Sequence, residues 1–190
     1  MPPKKRWKRR SISSNDFTSE PNFKRLPSEE QLFEFALKQL ARRPHTAREL
    51  KVQLLKRSES GTLVDAIIQR LTQLGYLNDR SFAEFFAQSG FERKLYGRLR
   101  IERELLARGV GPELIREVLD EQVRDSKEAD RLSHALERKL AVMSLPLDAK
   151  KLSRLYNHLV RQGFTEEAVH AAMERRFGDH LYYTAARKSI

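Results

Sequence analysis

The stretch "LKVQLLKRSESGTLVDAII", Leu50 to Ile68, decides the fold because the chain carries it three times. "IERELLARGVGPELIREVL" from Ile101 and "LYNHLVRQGFTEEAVHAAM" from Leu155 lie against it without a gap. Leu50, Ile101 and Leu155 coincide, as do Leu54, Leu105 and Leu159, then Leu55, Leu106 and Val160. Beyond the turn, Val64 matches Ile115 and Val169, and Ile67 matches Val118 and Ala172. Both halves have helical spacing. The turns coincide too: Ser60, Gly111 and Thr165 take one N-cap position, and Pro112 follows at the first helical residue, where its missing N–H costs nothing. Gly109 and Gly163 match as left-handed stops of the preceding helix, whereas Ser58 departs from that pattern.

A further helix precedes each copy, over about 28 to 42, 79 to 91 and 126 to 143. The first two carry clear starts. Ser28 and Gln31 have capping-box spacing, and Thr46 with Glu49 repeats it at the next helix. In "LTQLGYLNDRSFAEFF", Leu71 to Phe86, Gly75 reads as a left-handed stop, Tyr76 and Leu77 as tucked against the helix end, and Asn78 or Asp79 as the next cap. That turn joins two copies of one module.

With no sustained strand alternation, the expectation is an all-α chain of nine helices in three tandem three-helix units. A unit of about 45 residues buries little alone, so neighbouring units are expected to share apolar contacts in an elongated, curved rod. The expected divisions are a disordered basic tail over 1–27, repeats over 28–77, 78–125 and 126–177, and a C-terminal tail over 178–190.

Charge narrows the partner. The 190 residues carry a net +11 with a pI near 10.1, which favours nucleic acid or an acidic protein surface. Residues 1–27 hold +6 of this, through Lys4, Lys5, Arg6, Lys8, Arg9, Arg10, Lys24 and Arg25 against Asp16 and Glu20. The tail reads either as a solubilising segment or as an arm for phosphates, with Trp7 available to stack on a base. The absence of cysteine excludes disulfides and thiolate chemistry and fits a reducing compartment. No apolar run nears the roughly 20 residues of a membrane span, and no apolar segment follows the basic start as a secretory signal requires. A cytoplasmic protein is expected.

No catalytic or metal constellation emerges. His45, His134, His158, His170 and His180 form no close ligand pair, and the single Glu167–His170 spacing lacks the second copy a di-metal bundle needs. Gly109 and Gly111 lack the strand of a dinucleotide site, and no nucleophile elbow surrounds a serine. No cofactor, metal or enzyme activity is expected. Phe85, Phe91 and Tyr156 read as core rather than as stacking platforms.

The cations are the candidates. Arg93, Lys94, Arg98, Arg100, Arg103 and Arg108 surround Tyr96 in unit two, and unit one has Arg42, Arg43, Arg48 and Lys51, with Lys56 and Arg57 beyond. Unit three adds Lys150, Lys151, Arg154 and Arg161. Stacked units would align their second helices and bring these charges into one stripe. The competing reading is a solvated, salt-bridged face, with Arg100 and Arg103 each beside Glu104.

These residues carry a family resemblance. "ALKQLARRPHTARELKVQLL", "GYLNDRSFAEFF", "GRLRIERELLARGVGPELIREVL" and "LVRQGFTEEAVHAAM" resemble the RecX family of bacterial RecA regulators over about residues 32 to 177. The Gly-Tyr-Leu-Asn-Asp junction followed by Phe82 and Ala83 is the most specific part. The basic tail is no part of the family pattern, and "KRSESGTLVDAII" lacks the glycine usual in its turn. The resemblance implies a cofactor-free protein that binds the RecA filament on single-stranded DNA and lowers its strand exchange, ATPase and co-protease activities in DNA repair and the SOS response; a monomer is expected. Two other readings stay open: an autonomous DNA-binding helical repeat protein, and a helical scaffold for some other acidic protein.

Overall fold

The computed structural model describes residues 28–124 and 128–178. The tail expected over 1–27 with its Trp7, the helix start expected near 126, and the segment from 179 onward lie outside the described residues. Within them are nine helices: α1 (Glu29–Arg42), α2 (Ala47–Leu55), α3 (Gly61–Gln73), α4 (Asp79–Glu92), α5 (Arg98–Ala107), α6 (Pro112–Arg124), α7 (Glu128–Leu140), α8 (Ala149–Arg161) and α9 (Glu166–Phe177). The described residues contain no strand. Each helix packs chiefly on the other two of its own triplet, so the chain is a tandem repeat of three three-helix units.

Short polar side chains start most of these helices by satisfying amides that have no intrahelical acceptor. Ser28, Thr46, Ser60, Asn78, Asp148 and Thr165 each accept the N–H three residues on. At Thr46 the expected capping box is only half made. Glu49 turns away from the helix start and holds Arg43 and Arg108 instead.

Three separate apolar cores result, one per triplet. Leu50, Ile101 and Leu155 are fully buried, as are Leu54, Leu105 and Leu159. The third aligned set behaves differently: Leu55 and Leu106 are exposed and Val160 is half-buried, because each lies about 100° further round its helix than the buried leucine before it. Leu105→Ala should therefore cost about 2 to 5 kcal/mol in chemical denaturation, against under about 1 kcal/mol for Leu106→Ala.

The expectation of shared apolar contacts is largely corrected, since the joints between triplets are mainly polar and backbone. At the first joint the N–H of Ala47 donates to Asp79 Oδ1 at 2.9 Å, the Thr46 hydroxyl donates to the Arg108 carbonyl at 2.7 Å, and Arg108 Nη1 lies 2.6 Å from Glu49 Oε1. At the second, the N–H of Gly97 donates to the Gln162 carbonyl at 2.8 Å and that of Leu99 to the Gly163 carbonyl at 3.2 Å. The N-terminus of α2 thus meets the C-terminal turn of α5, and the N-terminus of α5 meets that of α8. Unpaired amides at one helix end face unpaired carbonyls at the next, with their dipoles head to tail. The second helices form one interrupted spine. Leu95, with φ of 54°, adds the apolar exception by packing from the second triplet onto the third core.

The spine explains the glycine pattern. Gly109 and Gly163 have φ of 86° and 93°, and each receives the neighbouring helix: a Cβ at Gly109 would stand 2.7 Å from Arg48 Cβ, and one at Gly163 would stand 2.5 Å from Arg100 Cβ. Ser58 occupies the same position at the end of the spine, where no described helix docks, and it has no positive φ.

Gly75 also stops its helix with φ of 77°, and the amides of Tyr76 and Leu77 both donate to the Leu71 carbonyl. Leu77 is buried in the first core, but Tyr76 does not tuck in and stays 57% exposed. Asn78 caps α4. Asp79 is freed for the joint.

Candidate functional site

Carboxylate partners sort the cations. Lys51 pairs with Asp65, Arg98 with Asp120 at 2.7 Å, Arg43 and Arg108 with Glu49, and Arg100 with Glu104 at 2.9 Å. All but the last of these pairs tie one helix or helix end to another, and Arg100–Glu104 lies within α5. Arg48 packs on Gly109 at the first joint, Lys94 stands over the Phe86 and Tyr96 rings, and Arg93 offers its carbonyl to Arg138. Arg42 and Lys150 are exposed.

The rest converge. A groove between α7 and α8 is lined by Lys139, Lys151, Arg154, His158 and Arg161, with Val142 and Met143 at its edge. It runs into a second groove where His158 and Arg161 face Arg100, Arg103, Glu104 and Ala107 of α5. Among the described residues Arg103, Lys139, Lys151, Arg154 and Arg161 pair with no carboxylate; Lys151 Nζ is held instead by the carbonyls of Ser144 and Pro146, each at 2.8 Å. Unpaired cations packed together repel, and an anionic occupant relieves that repulsion. The joint at Gly97 and Gly163 is what sets α5 beside α8.

The first triplet has the corresponding groove between α1 and α2, lined by Lys38, Arg42, Lys56 and Arg57 with Phe35 and Gln53. Lys38 is paired with Glu34, and the Arg57 guanidinium lies over the Phe35 ring at 4.3 Å.

Of the residues expected to form one stripe, the structure brings together Arg100, Arg103, Lys151, Arg154 and Arg161, and sets Arg42 in the first-triplet groove. Arg43, Arg48, Arg108, Lys51 and Arg98 turn toward joints or neighbouring helices, and Arg93 and Lys94 lie in the α4–α5 turn. Lys139 and His158 belong to the cleft although the expected site omitted them. The spacing of Lys151, Arg154, His158 and Arg161, which puts four side chains on one helical face, was the available signal.

Phe85 corrects another expectation. It is 57% exposed and lines a groove with Tyr76, Phe82, Leu40 and Pro44, while Phe91 is buried and Tyr156 packs on the third core. No group of three or more His, Cys, Asp or Glu among the described residues is placed to hold a metal ion, and no described helix is long and apolar enough to cross a membrane.

Two histidines carry a pH consequence. Burial holds His45 below the ordinary histidine range, although its Nδ1 lies 2.8 Å from the Arg43 carbonyl; His158 is lowered first by burial and then by Lys139, Arg161, Arg100 and Arg138. A lowered folded-state pKa means the unfolded chain binds more protons below about pH 6.5. Stability should be full above that pH and fall on acidification, and urea midpoints at about pH 7.5 and 5.5 check it, with His45→Gln flattening the slope.

The comparisons agree with this architecture. The family model for the second three-helix domain of RecX matches residues 78–119. A regulatory protein RecX of Halorhodospira halophila is 38% identical over 140 residues, covering 72% of this chain and 83% of the relative. One from Pelodictyon phaeoclathratiforme is 34% identical over 140 residues, covering 73% and 84%. The crystal structure of RecX from Lactobacillus salivarius superposes with a TM-score of 0.62 at 16% identity, covering 77% of this chain and 95% of that one, which speaks to fold alone. With a relative above 30% identity aligned over most of both chains, this chain belongs to the RecX family of regulatory proteins.

Proposed function

We propose that this protein is a negative modulator of RecA that binds the RecA filament on single-stranded DNA through the cation cleft of α5, α7 and α8. It acts in the cytoplasm as a monomer without cofactor, and lowers the filament's strand exchange, ATP hydrolysis and co-protease activity. The observation that supports this most is the set of five cations left without carboxylates in one cleft, whereas Arg98 and Arg108 are taken up by Asp120 and Glu49. A row of triplets suits a helical filament, because each unit repeats the same approach to a repeating partner.

The test is the host RecA's DNA-dependent ATP hydrolysis with this protein at substoichiometric amounts. The rate should fall, and an unchanged rate contradicts the proposal. The alternative is an autonomous DNA-binding protein, favoured by the exposed cations alone. Salt separates the two: a protein neutralising six or more phosphates loses roughly a thousandfold or more in affinity between about 50 and 200 mM salt, and filament binding through mixed contacts falls less steeply. Removal of residues 1–27, with their +6, should weaken DNA affinity more than it weakens inhibition.

A further inference from the structure

His158 occupies the middle of the cation cleft, lining both of its grooves. The charged groups facing it are Arg138 and Lys139 from α7, Lys151, Arg154 and Arg161 on its own helix, and Arg100, Arg103 and Glu104 from α5. Glu104 is held by Arg100 at 2.9 Å, so the ring faces an excess of positive charge. Its Nε2 lies 3.4 Å from Gln162 Nε2, a neutral neighbour compatible with an uncharged imidazole accepting an amide proton. Burial first, and then repulsion from these cations, disfavours the protonated ring. An anion in the cleft reverses that field.

We propose that the cleft binds the phosphodiester backbone of a nucleic acid, and that His158 takes up a proton as the backbone enters and becomes an additional cationic contact. One proton moves from hydronium or a buffer acid to the unprotonated imidazole nitrogen: an N–H bond forms there as the donor's bond to hydrogen breaks, and the donor leaves as water or conjugate base. Phosphodiester is the favoured ligand because Lys151, Arg154, His158 and Arg161 form a row of roughly 15 Å at 1.5 Å per residue. A polymer with one charge per unit meets the whole row, whereas a single carboxylate leaves most of it unmet. None of the lining residues is Phe, Tyr or Trp, so the cleft offers no large stacking platform and binding should depend little on base sequence. The proposal goes beyond the RecA reading and stands apart from it, since it concerns nucleic acid without recombinase.

The experiment is fluorescence anisotropy of the full chain with a labelled oligothymidylate of roughly 15 nucleotides at fixed low salt, near pH 6 and pH 7.5. Uptake of one proton tightens binding by at most about tenfold per pH unit, and the wild type should gain roughly fivefold more on acidification than His158→Gln. Circular dichroism verifies that the variant is folded, so that the two proteins are compared by their pH slopes. The His158 ring resonances should titrate at higher pH when the oligonucleotide is bound. Equal pH slopes in the two proteins overturn the proposal, as does absence of binding by the wild type. Polyglutamate binding as tightly as the oligonucleotide, with the same slope, assigns the cleft to an acidic protein and also overturns it. Inhibition of RecA is read in a separate assay, so failure of one leaves the other standing.

Discussion

Gly97→Ala should separate the second triplet from the third. A Cβ there would overlap the carbonyl group of Gly163 and stand 2.5 Å from the Phe164 nitrogen. Those are backbone atoms, which cannot swing aside as a side chain can. Relief requires the N-terminus of α5 to move off the end of α8, which breaks the Gly97 and Leu99 hydrogen bonds and the 2.9 Å bond from Arg100 to Gln162. Overpacking of this kind costs about 1 to 3 kcal/mol, and each lost hydrogen bond adds about 1 kcal/mol. Because each triplet holds its own core, helix content should survive. The expected signature is lost hydrogen-exchange protection at the Gly97 and Leu99 amides and a larger radius in small-angle scattering. Gly111→Ala is the control, since nothing lies within 4 Å of its added Cβ. Wild-type protection in Gly97→Ala would refute the joint as described.

The second large effect is on RecA. Arg154→Glu with Arg161→Glu places two carboxylates among Lys139, Lys151 and Arg103 and changes the cleft's charge by four units. Half-maximal slowing of ATP hydrolysis should then need roughly 10 to 100 times more protein, a loss of about 1.4 to 2.8 kcal/mol. Arg154 and Arg161 are exposed on α8, so the fold should tolerate the change. Arg116→Glu on α6, a two-unit change at an exposed cation away from the cleft whose partner among the described residues is Glu113, is the control for either single reversal. Equal loss in the control would point to net charge rather than the cleft.

Much of the fold was legible because helix starts and apolar spacing are local. Ser60, Thr165 and Asn78 cap the helices their sequence context assigns, and the aligned leucines fill equivalent core sites. The joints were not legible, since Thr46 meets Arg108 and Ala47 meets Asp79 across separations that no short window contains. The same limit governs the site. Arg98 and Lys51 look as available in sequence as Arg154 does, yet Asp120 and Asp65 claim them from a neighbouring helix. Tyr76 and Phe85 read as core by type and spacing but fall at the outer edge of a two-triplet groove.

The account depends on cations of two triplets acting as one site across the Gly97–Gly163 joint. A double-mutant cycle on RecA inhibition with Arg103→Glu, Arg161→Glu and the pair tests this most directly, because the two side chains line the same groove from α5 and α8. The account predicts a coupling of about 0.5 kcal/mol or more between them. Effects that add within about 0.3 kcal/mol, or no effect from either, would contradict it.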